Sequence, residues 1–295
     1  MTVKMGQREL ELGGKYLGHL REANDLLHDP AALRARMEED GYLLIRGAQE
    51  VERVRAARRV VLENLDANGQ LDRGYPLMEG VAKEGARGQF LGGRKEITRR
   101  PEFLALVESP QIMGFFEHFL GGPALTYDYK WLRAIGPGSN SGAHYDIVYM
   151  GRGTQDVYTT WTPLGDVPLE MGPLVALVGS HRFERMRETY GKMDVDRDHV
   201  TGSFSNDPAE VMDRHGGQWQ TSAFKAGDVL IFGMFTMHGS LNNVSNRFRL
   251  STDTRYQLAS EPVDERWIGE DPIAHYAWTK GETVPMEVVR AKWGV

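Results

Sequence analysis

The run GDVLIFGMFTMH, residues 227–238, combines an apolar strand pattern with a histidine at its end. A glycine-containing turn signal precedes it, and large apolar or β-branched residues fill its first half, so we expect a strand over residues 228–235. Successive side chains of a strand point to opposite faces, which puts His238 on the same face as Phe232 and Leu230. The pattern therefore predicts that His238 points into the interior of a β-structure.

Other segments, before and after residues 227–238, have a similar strand-like composition. They are rich in aromatic and β-branched residues, and glycine- or proline-containing turns separate them. They cover residues 125–135, 157–164, 174–178 and 249–258. Several short strands with such punctuation favour an antiparallel barrel or jelly roll. We expect a mainly β fold with flanking helices.

Helical patterns are concentrated at the beginning of the chain. They cover residues 30–39, 51–65 and 101–120, the last broken near residues 109–110, and a short strand follows the first at 42–46. Although 295 residues would allow two domains, we expect one. Its expected parts are a mostly helical wrap (1–123), a β core (124–260) with an insert or lid (191–219), and a C-terminal extension (261–295).

Composition excludes several classes of function. The net charge of −6 makes nucleic acid a poor partner, because phosphate binding needs clustered positive charge. The absence of cysteine excludes disulfides, thiolate metal sites and a cysteine nucleophile. No apolar run suggests a signal peptide or a membrane span, so we expect a cytoplasmic monomer or homodimer without membrane partners.

Two histidines and one aspartate form a candidate metal site. His144 and Asp146 are two residues apart, so in a strand their side chains would share a face, and His238 supplies a third ligand. Two imidazoles and one carboxylate on one side of a metal leave positions open opposite, which suits ferrous iron with dioxygen and a chelating cosubstrate.

A candidate anion site follows the third ligand. Arg249 comes 11 residues after His238, a length that suits a hairpin returning the chain beside that histidine. Ser251 lies on the same strand face, and a guanidinium with a hydroxyl holds a carboxylate well. Arg247 and Arg255 are nearby alternatives, and Arg255 also shares the face of Arg249.

Taken together, these motifs resemble those of the phytanoyl-CoA dioxygenase family, a branch of the iron(II)/2-oxoglutarate-dependent oxygenases. The similarity extends from about residue 33 to about residue 260. Its motifs are His144-x-Asp146, His238-Gly239-Ser240, Arg249-x-Ser251-x-x-x-Arg255-Tyr256, Gly172-Pro173-Leu174, Gly179-Ser180-His181-Arg182 and Asp40-Gly41-Tyr42-Leu43-Leu44-Ile45-Arg46.

The resemblance implies a double-stranded β-helix, which is a cupin-like jelly roll, with Fe(II), 2-oxoglutarate and O2 as cofactor and cosubstrates. It implies that His144, Asp146 and His238 are the catalytic metal ligands and that Arg249 pairs with the distal carboxylate of 2-oxoglutarate. Further candidates for cosubstrate binding are Ser251, Trp161, Lys130 and Ser240. Because Asp146 stands where related halogenases carry a small residue, we expect hydroxylation or another C–H oxidation.

The substrate is less defined by the sequence. Aromatic and methionine side chains near the motifs suggest a small, partly apolar molecule, and no basic cluster suits a coenzyme A thioester. The candidate substrate contacts are Tyr145, Ile147, Tyr149, Met150, Tyr158 and Met234. Two other functions use the same residues: a jelly-roll isomerase or hydrolase that needs the metal without 2-oxoglutarate, and a catalytically silent binding module.

Overall fold

The computed structural model describes residues 1–276 and 281–295, and these build a jelly roll with flanking helices, which confirms the expected fold class. The expected C-terminal extension (261–295) therefore lies partly outside the described residues. The strands are β1 (Thr2–Met5), β2 (Arg8–Glu11), β3 (Leu17–His19), β4 (Tyr42–Ile45), β5 (Gln89–Phe90), β6 (Ala124–Thr126), β7 (Trp131–Ile135), β8 (Tyr158–Pro163), β9 (Leu174–Leu177), β10 (Val200–Thr201), β11 (Trp219–Thr221), β12 (Val229–Gly233), β13 (His238–Ser240), β14 (Arg249–Leu258) and β15 (Val284–Pro285).

Two sheets form the body of the jelly roll. The larger has the order β4-β12-β8-β14-β7-β5, with β6 also paired to β14, and all of its neighbours are antiparallel. The smaller has the order β13-β9-β11-β3, in which β11 and β3 run parallel. Leu230 and Trp161 of the larger sheet share one apolar cluster with Leu174 and Ala176 of the smaller, so the sheets pack face to face.

Helices cover the outside of the larger sheet and the ends of the roll. They are α1 (Pro30–Asp40), α2 (Val51–Ala67), α3 (Lys95–Thr98), α4 (Pro101–Val107), α5 (Pro110–Leu120), α6 (Ile147–Met150), α7 (Glu184–Glu188), α8 (Val195–Asp198), α9 (Pro208–His215) and α10 (Met286–Trp293). The helix predictions near residues 30, 51 and 101 are confirmed. The break before α5 lies at the expected residues, where Ser109 caps that helix by accepting a hydrogen bond from the amide of Ile112.

Residues 1–123 contribute strands as well as helices to the body of the fold. β3 and β4 lie within residues 1–123, yet β3 joins the smaller sheet and β4 the larger one. Every residue of β4 is buried, because Tyr42 and Leu44 pack in the apolar cluster between the sheets, and Leu43 and Ile45 pack against α1 and α5. The insert at 191–219 likewise packs into the core through Val195, Phe204 and Trp219.

The run at 227–238 is divided between the two sheets. β12 ends at Gly233, where the amide of Thr236 donates to the Gly233 carbonyl in a tight turn, and β13 begins at His238 in the other sheet. The alternation that linked His238 to Leu230 therefore does not apply across the turn. The expected strand over 125–135 is also interrupted, since β6 ends at Thr126 and β7 begins at Trp131. Among the described residues, no helix is both long and apolar enough to cross a membrane.

Burial of β12 between two neighbours gives a stability prediction. Ile231 is fully buried, pairs with Leu43 and Thr160, and packs in the apolar cluster that contains Phe116 of α5. Ile231→Ala removes this packing and leaves a cavity, so we expect the free energy of unfolding to fall by about 2–5 kcal/mol in urea titrations. The matched control is Val244→Ala at a residue that is 63% exposed. If Ile231→Ala lowered the free energy of unfolding no more than Val244→Ala does, the central position of β12 would be contradicted.

Candidate functional site

His144 and His238 come from distant segments that meet as an isolated antiparallel bridge. The amide of His144 donates to the carbonyl of His238 at 2.9 Å, and the amide of His238 donates back at 3.1 Å. Their imidazole centroids lie 4.2 Å apart. A Cβ on Gly239 would lie 2.9 Å from the carbonyl oxygen of Ser141, so glycine is needed for the two segments to approach this closely.

Asp146 completes the cluster from the residue just before α6. Its backbone is helical, with φ −71° and ψ −28°, so the expected strand geometry of the H-x-D motif is wrong. The side chains nevertheless converge. The Oδ1 atom of Asp146 lies 3.9 Å from Nε2 of His144 and 3.8 Å from Nε2 of His238. One ligand atom from each residue lies within 4.8 Å of the other two, which is compact enough for a single metal ion to bridge them.

Backbone carbonyls determine which ring nitrogen faces the cluster. Nδ1 of His144 lies 2.8 Å from the carbonyl oxygen of Gly142, and Nδ1 of His238 lies 2.9 Å from that of Thr236. A carbonyl oxygen only accepts hydrogen bonds, so each Nδ1 carries a proton. Each Nε2 then offers a lone pair toward Asp146, which is the arrangement that metal-binding histidines use.

Burial and neighbouring charges keep the two histidines neutral and the aspartate ionised. Burial, with a contribution from the neighbouring His238, lowers the pKa of His144 to about 3, and burial also lowers the pKa of His238. Burial alone would favour the protonated form of Asp146, but the Arg255 guanidinium and both histidines outweigh it and hold the pKa of that carboxyl well below its usual range. These are the protonation states that metal ligation requires.

A narrow cleft beside the cluster leads to Arg249. Residues of both sheets line it, among them His238, Trp161 and Ser240. The Arg249 guanidinium lies 5.7 Å from the Trp161 ring and donates to the hydroxyl of Ser251 at 2.6 Å. Ser240 faces the cleft and accepts a hydrogen bond from the amide of Ser141. The sequence prediction that Arg249, Ser251, Trp161 and Ser240 lie together therefore agrees with the structure.

Arg249 is a buried cation without a carboxylate in ion-pair contact among the described residues. It is 2% exposed, and burial lowers its pKa to about 10. The acidic group that acts electrostatically on it, Asp253, is itself paired with Arg133, whose Nε atom donates a 2.8 Å hydrogen bond to that carboxylate. A buried charge left in this state is costly unless a ligand supplies the missing partner.

A larger cavity of about 490 Å³ also borders the cluster. Its wall is both apolar and polar, and it includes the His144 and Asp146 side chains. The remaining lining residues are Phe90, Trp131, Arg133, Ile135, Asn140, Ser141, Gly142, Tyr149, Met150, Gly202, Ser203, Arg255 and His275. Of the substrate contacts expected from the sequence, Tyr149 and Met150 lie here, and Gly202 and Ser203 belong to the expected lid at 191–219.

The remaining predicted substrate contacts lie elsewhere. Tyr145 donates to the Ser180 carbonyl and stacks on Tyr190 inside the core, and Ile147 and Met234 belong to the same apolar cluster without lining the cavity. Tyr158 packs edge-on against Phe119 of α5, on the outer face of the larger sheet. These four side chains do not line this cavity, because position next to the motif does not determine which way a side chain points.

Lys130 does not reach the cosubstrate cleft. Its ammonium donates to the carbonyl of Tyr127 at 2.6 Å and pairs with Glu108 at 3.0 Å, and it lines neither the cleft nor the cavity. The expected hairpin from His238 to Arg249 is wrong as well. β13 pairs with β9, whereas β14 pairs with β7 and β8, so Arg249 reaches the cleft from the opposite sheet.

Sequence reasoning missed several residues that line the site on alternate positions of three strands. β7 contributes Trp131 and Arg133, β8 contributes Thr159, and β14 contributes Arg255, which had been only an alternative to Arg249. The signal that could have found them is the two-residue period of each strand. Thr159 has the parity of Trp161, and Arg255 has that of Arg249.

Comparison with known proteins places this geometry in a family. The family model for phytanoyl-CoA dioxygenase (PhyH) matches residues 37–251. A 1-deoxypentalenic acid 11-beta-hydroxylase from Streptomyces exfoliatus is 28% identical over 249 residues, which cover 81% of this chain and 85% of that protein. The corresponding hydroxylase from Streptomyces arenae is 27% identical with the same coverage.

Solved structures share the fold. The epimerase SnoN from nogalamycin biosynthesis, in complex with Fe3+, alpha ketoglutarate and nogalamycin RO, has a TM-score of 0.57 at 21% identity and covers 87% of this chain and 99% of its own. EctD from S. alaskensis, with 2-oxoglutarate and 5-hydroxyectoine, has a TM-score of 0.54 at 21% identity and covers 91% and 92%. The chain belongs to the phytanoyl-CoA dioxygenase family and is an iron(II)- and 2-oxoglutarate-dependent dioxygenase.

Proposed function

We propose that this enzyme hydroxylates, or otherwise oxidises, a C–H bond of a small, partly apolar metabolite. The observation that carries this proposal is the cluster of His144, Asp146 and His238 between two spaces of different character. The narrow cleft has a buried, unpaired guanidinium at Arg249, and the larger cavity has a mixed apolar and polar wall. A metal ion held by these three residues would thus adjoin both the cleft that contains Arg249 and a substrate-sized cavity.

The proposed roles of the chain's own residues follow from these positions. His144 and His238, neutral at Nε2, and Asp146 Oδ1 would hold Fe(II) on one face and leave the other open. Arg249, supported by Ser251, would bind the distal carboxylate of 2-oxoglutarate, while Trp161 and Ser240 flank it. When bound, iron(II) and 2-oxoglutarate supply, with O2, an oxidant for C–H bonds and release succinate and CO2.

The larger cavity supports the proposed class of substrate. Trp131 and Met150 offer apolar surface next to the metal ligands, and Tyr149 and Arg133 offer polar contacts. The two curated relatives are named as hydroxylases of 1-deoxypentalenic acid, whose name describes a carboxylic acid. The mixed wall of the cavity suits a substrate with both an apolar body and a polar group. We further propose that the enzyme acts in the cytoplasm as a monomer or homodimer, without nucleic-acid or membrane partners.

The first test removes the metal ligand that carries the charge. Asp146→Ala is expected to abolish succinate formation from 2-oxoglutarate, because the remaining imidazoles supply neither the third ligand nor its negative charge. Wild-type protein loaded anaerobically with Fe(II) and then 2-oxoglutarate is expected to develop a weak visible charge-transfer band. Metal binding without that band would instead indicate an enzyme that does not use 2-oxoglutarate, and undiminished succinate formation by Asp146→Ala would refute the proposed ligand.

The second test concerns the buried arginine. Arg249→Met leaves the distal carboxylate of 2-oxoglutarate without its partner, a loss of about 2–5 kcal/mol, so we expect the KM for 2-oxoglutarate to rise by roughly 30-fold or more. The matched control is Arg247→Met, because Arg247 lies two residues away, is about half exposed and pairs with Glu79 on the surface. An equal KM in both variants would show that Arg249 does not bind the cosubstrate.

The third test uses the lowered pKa values of the histidines. Protons compete with metal for Nε2, and two imidazoles with the ordinary pKa of 6.5 would lose about tenfold in affinity between about pH 8 and pH 6. Because the pKa of His144 is about 3, its ring stays neutral over this range, and the lowered pKa of His238 reduces the protonation of the second ring. Anaerobic titrations of the apoprotein with Fe(II) should therefore show clearly less than a tenfold loss of affinity at pH 6. A tenfold loss at the lower pH would contradict the pKa shifts.

A further inference from the structure

Arg255 connects the candidate metal ligand Asp146 to the wall of the larger cavity. It is 1% exposed and lies on the same face of β14 as Arg249. Its Nη2 atom donates to Oδ2 of Asp146 at 3.0 Å, and its Nη1 atom donates to the carbonyl of Asp253 at 3.0 Å. The guanidinium also stacks on the Trp131 ring at 4.1 Å from the centroid. Three contacts in different directions therefore fix its position.

Thr159 acts on the same carboxylate oxygen from the neighbouring strand. Its hydroxyl donates to Oδ2 of Asp146 at 2.5 Å, and the residue is 1% exposed. Oδ2 thus receives one charged and one neutral hydrogen bond, whereas Oδ1 faces the Nε2 atoms of His144 and His238. The buried donors on β8 and β14 thus engage only Oδ2, and Oδ1 is the oxygen that faces the two histidines.

A carboxylate binds a metal through one oxygen or through both. We propose that Arg255, together with Thr159, is a positioning residue that holds Asp146 as a one-oxygen ligand. This inference rests on the proposed function. Its consequence is that two adjacent metal positions stay open for the keto acid end of 2-oxoglutarate, with a third left for O2. Without the two donors, Oδ2 is free to turn toward the metal and occupy one of those positions.

Arg255 also lines the cavity proposed for the substrate. Its guanidinium and the Trp131 ring on which it stacks both line the space proposed for substrate. Trp131 is itself held by the Trp267 ring, with centroids 4.7 Å apart. A molecule bound against this part of the cavity would contact the guanidinium that orients Asp146. If the substrate displaced Arg255, the orientation of the Asp146 carboxylate would change as well.

The test separates metal binding from cosubstrate chelation in Arg255→Met and Thr159→Val. Each variant is titrated anaerobically with Fe(II), and then, at saturating Fe(II), with 2-oxoglutarate while the charge-transfer band is recorded. Removing a side chain that hydrogen-bonds to a metal ligand typically lowers metal affinity or activity by 10–100-fold. We expect the affinity for 2-oxoglutarate at saturating metal to fall by about tenfold or more in both variants, with a smaller change in Fe(II) affinity.

Conservative variants and a structure complete the experiment. Thr159→Ser keeps the hydroxyl and is expected to restore near wild-type chelation, whereas Arg247→Met is the control for loss of a surface arginine. A crystal structure of Arg255→Met with Mn(II) should show both carboxylate oxygens of Asp146 on the metal. If Arg255→Met fails to fold, as judged by circular dichroism, Thr159→Val and Thr159→Ser decide the question.

The possible failures are distinguishable. If wild-type protein binds no Fe(II) or gives no charge-transfer band, the proposed function fails and this inference fails with it. If the wild-type band is present and the variants lose Fe(II) affinity but chelate 2-oxoglutarate normally at saturating metal, only the positioning role is refuted. Unchanged behaviour of both Arg255→Met and Thr159→Val would refute it as well.

Discussion

The reciprocal pair of backbone hydrogen bonds between His144 and His238 is the constraint on which the site depends. It joins the loop before α6 to β13 of the smaller sheet and brings two imidazoles from segments 94 residues apart to a centroid distance of 4.2 Å. The bonds involve backbone atoms, so they fix the Cα positions of both residues whatever their side chains do. The Gly142 and Thr236 carbonyls then orient the rings. Metal binding can use this geometry without first ordering the chain, which reduces the entropic cost of assembling the ligands.

The larger sheet supplies the charges around this pair through the alternation of β14. Arg249, Ser251, Asp253 and Arg255 are every second residue of one strand, and their contacts are all on the inner side of the roll. Leu250 and Tyr256, which point to the other face of the strand, serve packing instead. Leu250 belongs to the cluster under α2 and α4, and Tyr256 stacks on Phe116 of α5 with centroids 4.2 Å apart. A single ten-residue strand thus anchors the helical layer with one face and carries the polar groups of the site on the other.

The same alternation explains what the sequence could and could not predict. The fold class was predictable from the strand patterns, whereas the convergence of His144, Asp146 and His238 was predictable from the family's motif order and not from strand alternation. Trp161 and Tyr158 were both expected in the site, yet residues three apart on β8 must face opposite sides, so that pair of predictions was inconsistent from the start. Lys130, just before β7, was expected in the site, whereas the next residue, Trp131, is the one that lines the cavity. What no local pattern could give is the turn at residues 234–237 that moves the chain from one sheet to the other, because it depends on the pairing of β12 and β13 with different neighbours.

Charge balance inside the roll links the proposed metal and cosubstrate to each other. Arg255 is paired with Asp146 and Arg133 with Asp253, which leaves the charge of Arg249 unbalanced. Iron(II) alone would add two further positive charges to this interior, whereas 2-oxoglutarate carries two negative ones. Bound together they leave the net charge of the interior as it is in the apoprotein, so each reduces the electrostatic cost of the other at low dielectric. Because such a coupling is reciprocal, 2-oxoglutarate should strengthen iron binding by the same factor by which iron strengthens the binding of 2-oxoglutarate. Arg249 therefore acts on the cosubstrate, since the distal carboxylate of 2-oxoglutarate supplies the partner that this buried guanidinium lacks in the empty roll.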